Sequence, residues 1–239
     1  VDKTHVRTTL NLTQTTSASY LLMSSLDVAR KALATEGDKI IDRVLQLSRK
    51  AREEINKIDG LYAFGKELIG NPGVYDFDET KLSVCVKGLG LTGFKVYDIL
   101  RDEYNIQLEL GDVCNILAII SVGDTEESII ELIKALEDIA IKYKTKPIEF
   151  ENIALENPEI VVGPRDAFYT RKKVIKLDDA EGQISGESIM AYPPGIPIVT
   201  PGERINKEII NYIKFLKTQH SMLSDTEDPD VETIKVLGM

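Results

Sequence analysis

Groups that usually hold metals and disulfides are scarce in this chain. Its two histidines, His5 and His220, lie far apart in 239 residues and make no zinc-type spacing. Two cysteines cannot frame a disulfide scaffold. Cys85 and Cys114 each sit in an apolar, strand-like run, where a buried free thiol is the simpler reading. No apolar run reaches the roughly 20 residues a transmembrane helix needs, and no signal peptide opens the chain. No membrane partner is therefore expected, and cytoplasmic location is the default. Positive charge is in deficit, with 29 Lys and Arg against 39 Asp and Glu for a net charge of −10. This argues against nucleic acid, which wants clustered Lys and Arg, and no nucleic-acid partner is expected. No internal repeat is present. The first residue is Val1 and a charged segment follows at once, as expected of a piece of something longer.

What is present is an ordinary globular composition, 43% hydrophobic and 28% charged, long enough for a sizeable core in one or two domains. Leu22, Leu26, Ala29 and Leu33 form a helical stripe over about 18–34 that Gly37 is expected to end. A second helix is expected from Asp38, as N-cap, to about Ile58, stopped by Asp59-Gly60. After Asn71-Pro72-Gly73 the period changes. Leu82–Val86 alternates as a strand, Phe94–Tyr104 reads as an amphipathic helix, Ile106–Leu110 alternates again, and Cys114–Val122 is nearly continuous apolar sequence. A further helix follows, with Asp124 and Glu127 expected to form its capping box. The order β-α-β-β-α over 81–144 predicts a small α+β unit. Beyond a boundary at Lys146-Pro147 come short mixed segments, including a basic patch at Arg171-Lys172-Lys173. A helix is expected over Asn206–Leu216, and a solvated acidic tail over the last fifteen residues.

Gly88-Leu89-Gly90-Leu91-Thr92-Gly93 spells G-x-G-x-x-G between a strand and a helix, with Glu109 about where a ribose-binding acid would sit. Only Gly111-Asp112 separates the next two strands, however. That spacing makes a hairpin and antiparallel pairing, whereas a dinucleotide fold continues in parallel through another helix. A structural glycine turn is the preferred reading, and an NAD site the minor one.

The segment ISGESIMAYPPGIPIVTPGE (Ile184–Glu203) concentrates Pro193, Pro194, Gly195, Pro197 and Pro201-Gly202 in a short apolar stretch. Proline fixes φ and removes a donor, so the stretch is expected to be a rigid extended path, neither helix interior nor central strand. Within it, Glu187 is either a structural acid or a carboxylate for a guanidinium or ammonium group. Tyr192 either packs on the prolines or lines a substrate. Glu203 is expected to cap the following helix, and Lys87 to be a solvated lysine at a strand end. Thr15-Thr16-Ser17 offers hydroxyls and N–H groups at a helix start, suited either to a simple N-cap or to a phosphate.

Three regions resemble one family, the bacterial ornithine/lysine/arginine decarboxylases that use pyridoxal phosphate, and among them the Gram-positive arginine or lysine type. TQTTSASYLLMSSLD (Thr13–Asp27) is similar to the segment after that family's cofactor-binding lysine. Leu82–Asp112 resembles its small subdomain, and Ala167–Val174 with Ile184–Glu203 its C-terminal domain. The resemblance implies the C-terminal part of an aspartate-aminotransferase-like (fold type I) enzyme: a helical linker over 1–75 from the end of the major domain, a small β-α-β-β-α subdomain over 76–145, and an appended mixed domain over 146–239. It implies decarboxylation of a basic amino acid, arginine first and lysine or ornithine behind it. It further implies a homodimer with a shared active site, in which Thr15, Thr16 and Ser17 reach the cofactor phosphate of the neighbouring subunit, while Glu187 and Tyr192 stand as candidate substrate contacts on the reading of the residues above. One departure is plain: the family's Schiff-base lysine follows a histidine, and no His-Lys pair occurs here. No catalytic residue is thus expected in this chain, and alone it is expected to be inactive. The rival expectation is a non-catalytic dimerisation or regulatory module built from the same subdomains.

Overall fold

One apolar seam runs through the first long helix. Residues 22, 26, 29, 33, 37, 40, 44, 47, 51 and 55 recur at spacings of three and four, the period that puts side chains on one helical face. The computed structural model describes residues 2–15, 17–148, 157–192, 195–219 and 221–238. It divides into two compact units, Val1–Gln46 and Leu47–Met239.

In the first unit, α1 (Lys3–Thr13) is capped by Asp2, whose carboxylate accepts the Thr4 N–H. The long helix α2 (Tyr20–Ile55) begins here and runs unbroken through Gly37. The expectation of two helices divided at that glycine is corrected. An isolated glycine costs a helix only about 1 kcal/mol, too little to stop one whose seam continues on both sides. Tyr20, Leu21, Leu22, Leu26 and Val28 are each at least 67% exposed.

In the second unit, the end of α2 buries Ala51 and Ile55 completely. Arg52 ties it to the sheet by donating to the carbonyls of Phe64, Glu79 and Lys81. The sheet comprises β1 (Tyr62–Ala63), β2 (Lys81–Cys85), β3 (Leu110–Gly111) and β4 (Asn115–Ile119) in the order β1-β2-β4-β3, with every pairing antiparallel. Between β2 and β3 lies α3 (Gly93–Tyr104), capped by Thr92 and closed by Asn105 in the left-handed region. After β4 comes α4 (Glu126–Tyr143). Leu82, Val84 and Ile116 from the sheet, Val96 and Leu100 from α3, and Leu136 and Ile139 from α4 are all buried. The capping box of α4 is Thr125 with Ser128, not Asp124 with Glu127. Asp124 instead accepts the N–H and hydroxyl of Ser121, which holds the preceding turn.

The remainder has a second core. Helix α5 (Pro164–Tyr169) leads into β5 (Lys172–Lys176), which pairs with β9 (Thr233–Leu237) at the far end of the chain. A three-stranded sheet, order β7-β6-β8, is built from β6 (Ile189–Tyr192), β7 (Ile196–Val199) and β8 (Met222–Ser224). Helix α6 (Lys207–Thr218), capped by Asn206, buries Ile209, Ile213 and Leu216 against Ile189, Val199, Ile234 and Val236. Phe94 and Val113 pack against this same cluster.

Two expectations change here. The proline-rich stretch does contain a central strand, since β6 lies between β7 and β8 and carries no proline. Pro197 falls on the edge strand β7, where a missing N–H costs no ladder bond. The acidic end is no solvated tail. Val231, Ile234 and Val236 are buried, and the Asp228 carboxylate accepts the N–H groups of Asp230, Glu232 and Thr233, which turns the chain into β9.

Candidate functional site

The glycine-rich loop is explained by packing. A Cβ on Gly93 would lie 1.9 Å from the Asn115 carbonyl oxygen, and one on Gly88 2.6 Å from that of Gly60. Gly90 adopts φ +74, with Thr145 Oγ1 only 2.0 Å from where its Cβ would be. All three glycines are required by backbone neighbours, and the antiparallel β3–β4 hairpin that follows has no place in a dinucleotide fold.

Glu187 lies just before β6 and is 8% exposed. One carboxylate oxygen accepts the Lys235 N–H (2.7 Å) and the other the Glu227 N–H (3.0 Å). The loop before it is fixed by the buried Ser185 hydroxyl, which donates to the Glu187 carbonyl at 2.6 Å. The carboxylate therefore joins the start of β6 to β9 and to the loop after β8. Charge-assisted bonds of this kind are about twice as strong as neutral ones. A small cavity of about 90 Å³ adjoins it, lined also by Val174, Asp228 and Thr233.

Tyr192 ends β6 opposite Met222 of β8 and is 54% exposed. Its ring faces Gly195, where an added Cβ would meet Cδ2 at 3.4 Å, and it lines a cleft with Phe94, Tyr97 and Asp98 of α3. Glu203 does not cap α6. Its Oε2 accepts the Thr200 N–H at 2.7 Å and braces the Pro201-Gly202 turn, while Asn206 does the capping. Lys87 is exposed, at the mouth of an open groove that it shares with Cys85, Gly88 and Tyr62.

In the first unit, Thr15 and Ser17 occupy the link between α1 and α2. The Thr15 hydroxyl accepts the Ser17 N–H at 3.1 Å and both residues are exposed. Thr16 lies outside the described residues. Thr15 and Ser17 thus belong to one unit, Glu187 and Tyr192 to the other. No group of three or more His, Cys, Asp or Glu suited to a metal occurs among the described residues. No described helix is long and apolar enough to cross a membrane.

Two family models match. Residues 1–83 fit "Orn/Lys/Arg decarboxylase, major domain", and residues 149–224 fit "Orn/Lys/Arg decarboxylase, C-terminal domain". The arginine decarboxylases of Bacillus anthracis and Bacillus subtilis (strain 168) are each 42% identical to this chain over 240 residues, 99% of its length. The chain belongs to the Orn/Lys/Arg decarboxylase family. It spans about half the length of the curated relatives it matches, 49% of each of these two. Among solved structures, the constitutive lysine decarboxylase of E. coli superposes with a TM-score of 0.71 at 18% identity, over 99% of this chain and 46% of that one. The mixed α/β fold is therefore one that this solved structure shares.

The decarboxylase cofactor needs an aldimine lysine, a stacking ring and a carboxylate for the pyridine nitrogen. The described residues do not make such a site. The groove at Lys87 has no carboxylate in its lining, and the Glu187 carboxylate already faces two backbone amides. Thr15 and Ser17 offer hydroxyls that suit only the phosphate end. What sequence reasoning missed is the pair of amides held by Glu187, which lie 40 and 48 residues further along the chain. No local pattern reports contacts at that separation.

Proposed function

We propose that these residues form the C-terminal portion of a pyridoxal-phosphate-dependent decarboxylase of basic amino acids, with arginine converted to agmatine. Lysine and ornithine follow as weaker substrates. The observation that carries this reading is the 42% identity to proteins named arginine decarboxylase across 99% of the chain. In this reading residues 1–75 come from the end of the major domain, 76–145 are the small subdomain of an aspartate-aminotransferase-like enzyme, and 146–239 the appended domain. The cofactor lysine belongs to a His-Lys segment these residues do not contain, so the chain alone is inactive. The enzyme is cytoplasmic.

A homodimer with a shared active site completes the proposal, with Thr15, Thr16 and Ser17 on the cofactor phosphate. The exposed apolar stretch from Tyr20 to Val28 supports a partner surface, because so much contiguous apolar area is rarely left in water. The same stretch is what a non-catalytic dimerisation module would also present. Tyr192 faces the substrate in this reading. Glu187 acts first as a brace, and a substrate cation would have to share its oxygens with the two amides.

The test is a chimaera in which these 239 residues follow the His-Lys-bearing half of a Bacillus arginine decarboxylase. Release of CO2 is expected to be faster from arginine than from lysine or ornithine. Release from none of the three, by a chimaera that folds and takes up cofactor, would count against the proposal and favour the non-catalytic module.

A further inference from the structure

The basic patch and the strand it leads into have no role in the account so far. Residues 165–176 carry five cations, Arg165, Arg171, Lys172, Lys173 and Lys176, against the single acid Asp166, in a chain whose net charge is −10. None of the five makes an ion pair among the described residues. The acids around β5 are engaged elsewhere. Asp178 pairs with Lys214 and Glu227 with Lys235, while Glu187 and Asp228 accept backbone N–H groups. At the start of the patch Phe168 and Tyr169 are 68% and 77% exposed, their rings edge to face at 5.1 Å. Lys172 Nζ lies 5.6 Å from the centre of the Phe168 ring. Large rings left in water beside unpaired cations are what a recognition surface presents.

β5 is also an open edge, paired with β9 alone. The Gly238 N–H donates to the Arg171 carbonyl and the Leu177 N–H to that of Glu232, so the antiparallel ladder uses residues 171, 173, 175 and 177. The N–H and C=O groups of Lys172, Val174 and Lys176 therefore point away from β9, and none has a partner among the described residues. The matching outer groups of β9 are covered: the Gly186 N–H donates to the Lys235 carbonyl and the Leu237 N–H to that of Ile184. Side chains alternate along the edge. Ile175 packs against the core, and Lys172, Val174 and Lys176 share the opposite face.

Charge decides what can lie along this edge. Two copies of it would set lysine against lysine, which disfavours their pairing. An extended anionic surface, a bilayer or a nucleic acid, would meet the acidic remainder of the chain as well as the patch. A single acidic strand meets the patch alone. We infer that the free edge of β5 docks an extended acidic segment of a protein partner, which adds a strand to the β5–β9 sheet. The backbone of that segment bonds to Lys172, Val174 and Lys176. Its side chains follow the same period of two, with acids opposite the two lysines and an apolar residue opposite Val174. The inference is independent of the decarboxylase reading.

The test is a titration of the full chain with the peptide Thr-Glu-Thr-Val-Thr-Glu-Thr, blocked at both ends, read by amide NMR shifts and hydrogen exchange. Saturable shifts along β5 are expected. The Lys172, Val174 and Lys176 amides should gain protection, and those of Lys173 and Ile175, already bonded to β9, should gain little. Raised salt should weaken binding. The double variant Lys172→Glu with Lys173→Glu, on exposed side chains, should bind about tenfold more weakly, as two exposed attractions become repulsions. Val174→Pro removes one outward N–H and no bond to β9, so it should leave the fold intact and weaken binding at least as much. A backbone N-methylated peptide of the same charge should not bind. No saturable shift at β5, equal binding of the N-methylated peptide or of one with Lys for Glu, or unchanged binding in both variants would overturn the proposal. So would saturable binding of phosphatidylglycerol vesicles without a response to the peptide, which would make the patch a lipid surface. Shifts at β5 that follow protein concentration alone would overturn it in favour of contact between copies.

Discussion

Replacing Glu187 separates a brace from a substrate contact. The carboxylate is buried and accepts two backbone N–H groups at 2.7 and 3.0 Å, from Lys235 in β9 and Glu227 in the preceding loop. In Glu187→Ala both donors lose a charged acceptor. Each orphaned buried donor costs about 1–3 kcal/mol, so a total of about 3–4 kcal/mol is expected after partial access of water. Glu187→Gln keeps one acceptor oxygen but points an NH2 group at the other N–H, for a loss of about 2 kcal/mol. With a urea m-value of about 2 kcal/mol/M, the alanine variant should unfold about 1.5–2 M earlier and the glutamine variant about 1 M earlier. Hydrogen exchange gives the sharper readout, because the Lys235 and Glu227 amides should exchange faster before the rest of β9 does. Unchanged midpoints and unchanged exchange, together with weakened arginine binding in the complete enzyme, would refute the brace and restore the substrate role.

Three further predictions concern the frame. Gly93→Ala places a Cβ 1.9 Å from the Asn115 carbonyl oxygen and 2.5 Å from that of Asp112, so a loss of about 3 kcal/mol or failure to fold is expected in thermal unfolding. Gly37→Ala meets only Leu33 Cβ at 3.9 Å within the unbroken α2 and should raise the helical signal and stability by about 0.5–1 kcal/mol. Glu79 is gripped by Arg49 and Lys66, which pull its carboxyl down to about 2. A depressed carboxyl stabilises the fold above its unfolded value of 4.5 and ceases to do so as pH falls toward 2. The melting temperature should therefore drop through that window, and Glu79→Gln should flatten the drop while lowering the temperature at neutral pH.

The fold was legible where pattern and neighbours agreed. Alternation from Leu82 marked β2, the 3–4 spacing from Phe94 marked α3, and Gly111-Asp112 signalled an antiparallel hairpin, although the strand expected over Ile106–Leu110 is only Leu110–Gly111 and takes in the glycine expected in the turn. It failed where a local signal met a stronger non-local one. Gly37 looked like a stop, but the seam continues on either side of it. The acidic run 225–230 looked solvated, but the alternation of Ile234 and Val236 carried the end of the chain into the core beside β5. Glu203 had the right residue type for a cap, yet Asn206, next to the first helical residue, has the better geometry. The family resemblance was legible in Thr13–Asp27 and Ile184–Glu203. The hydrogen bonds that fix Glu187 were not, since they depend on how the end of the chain folds back.

The most direct measurement is to incubate the chain with pyridoxal phosphate, reduce with borohydride and determine the intact mass. An unmodified mass, or only scattered labelling below one equivalent, is expected if, as proposed, the aldimine lysine lies outside these residues. One stoichiometric pyridoxyl adduct at a single lysine would contradict that proposal and place a cofactor site within the 239 residues.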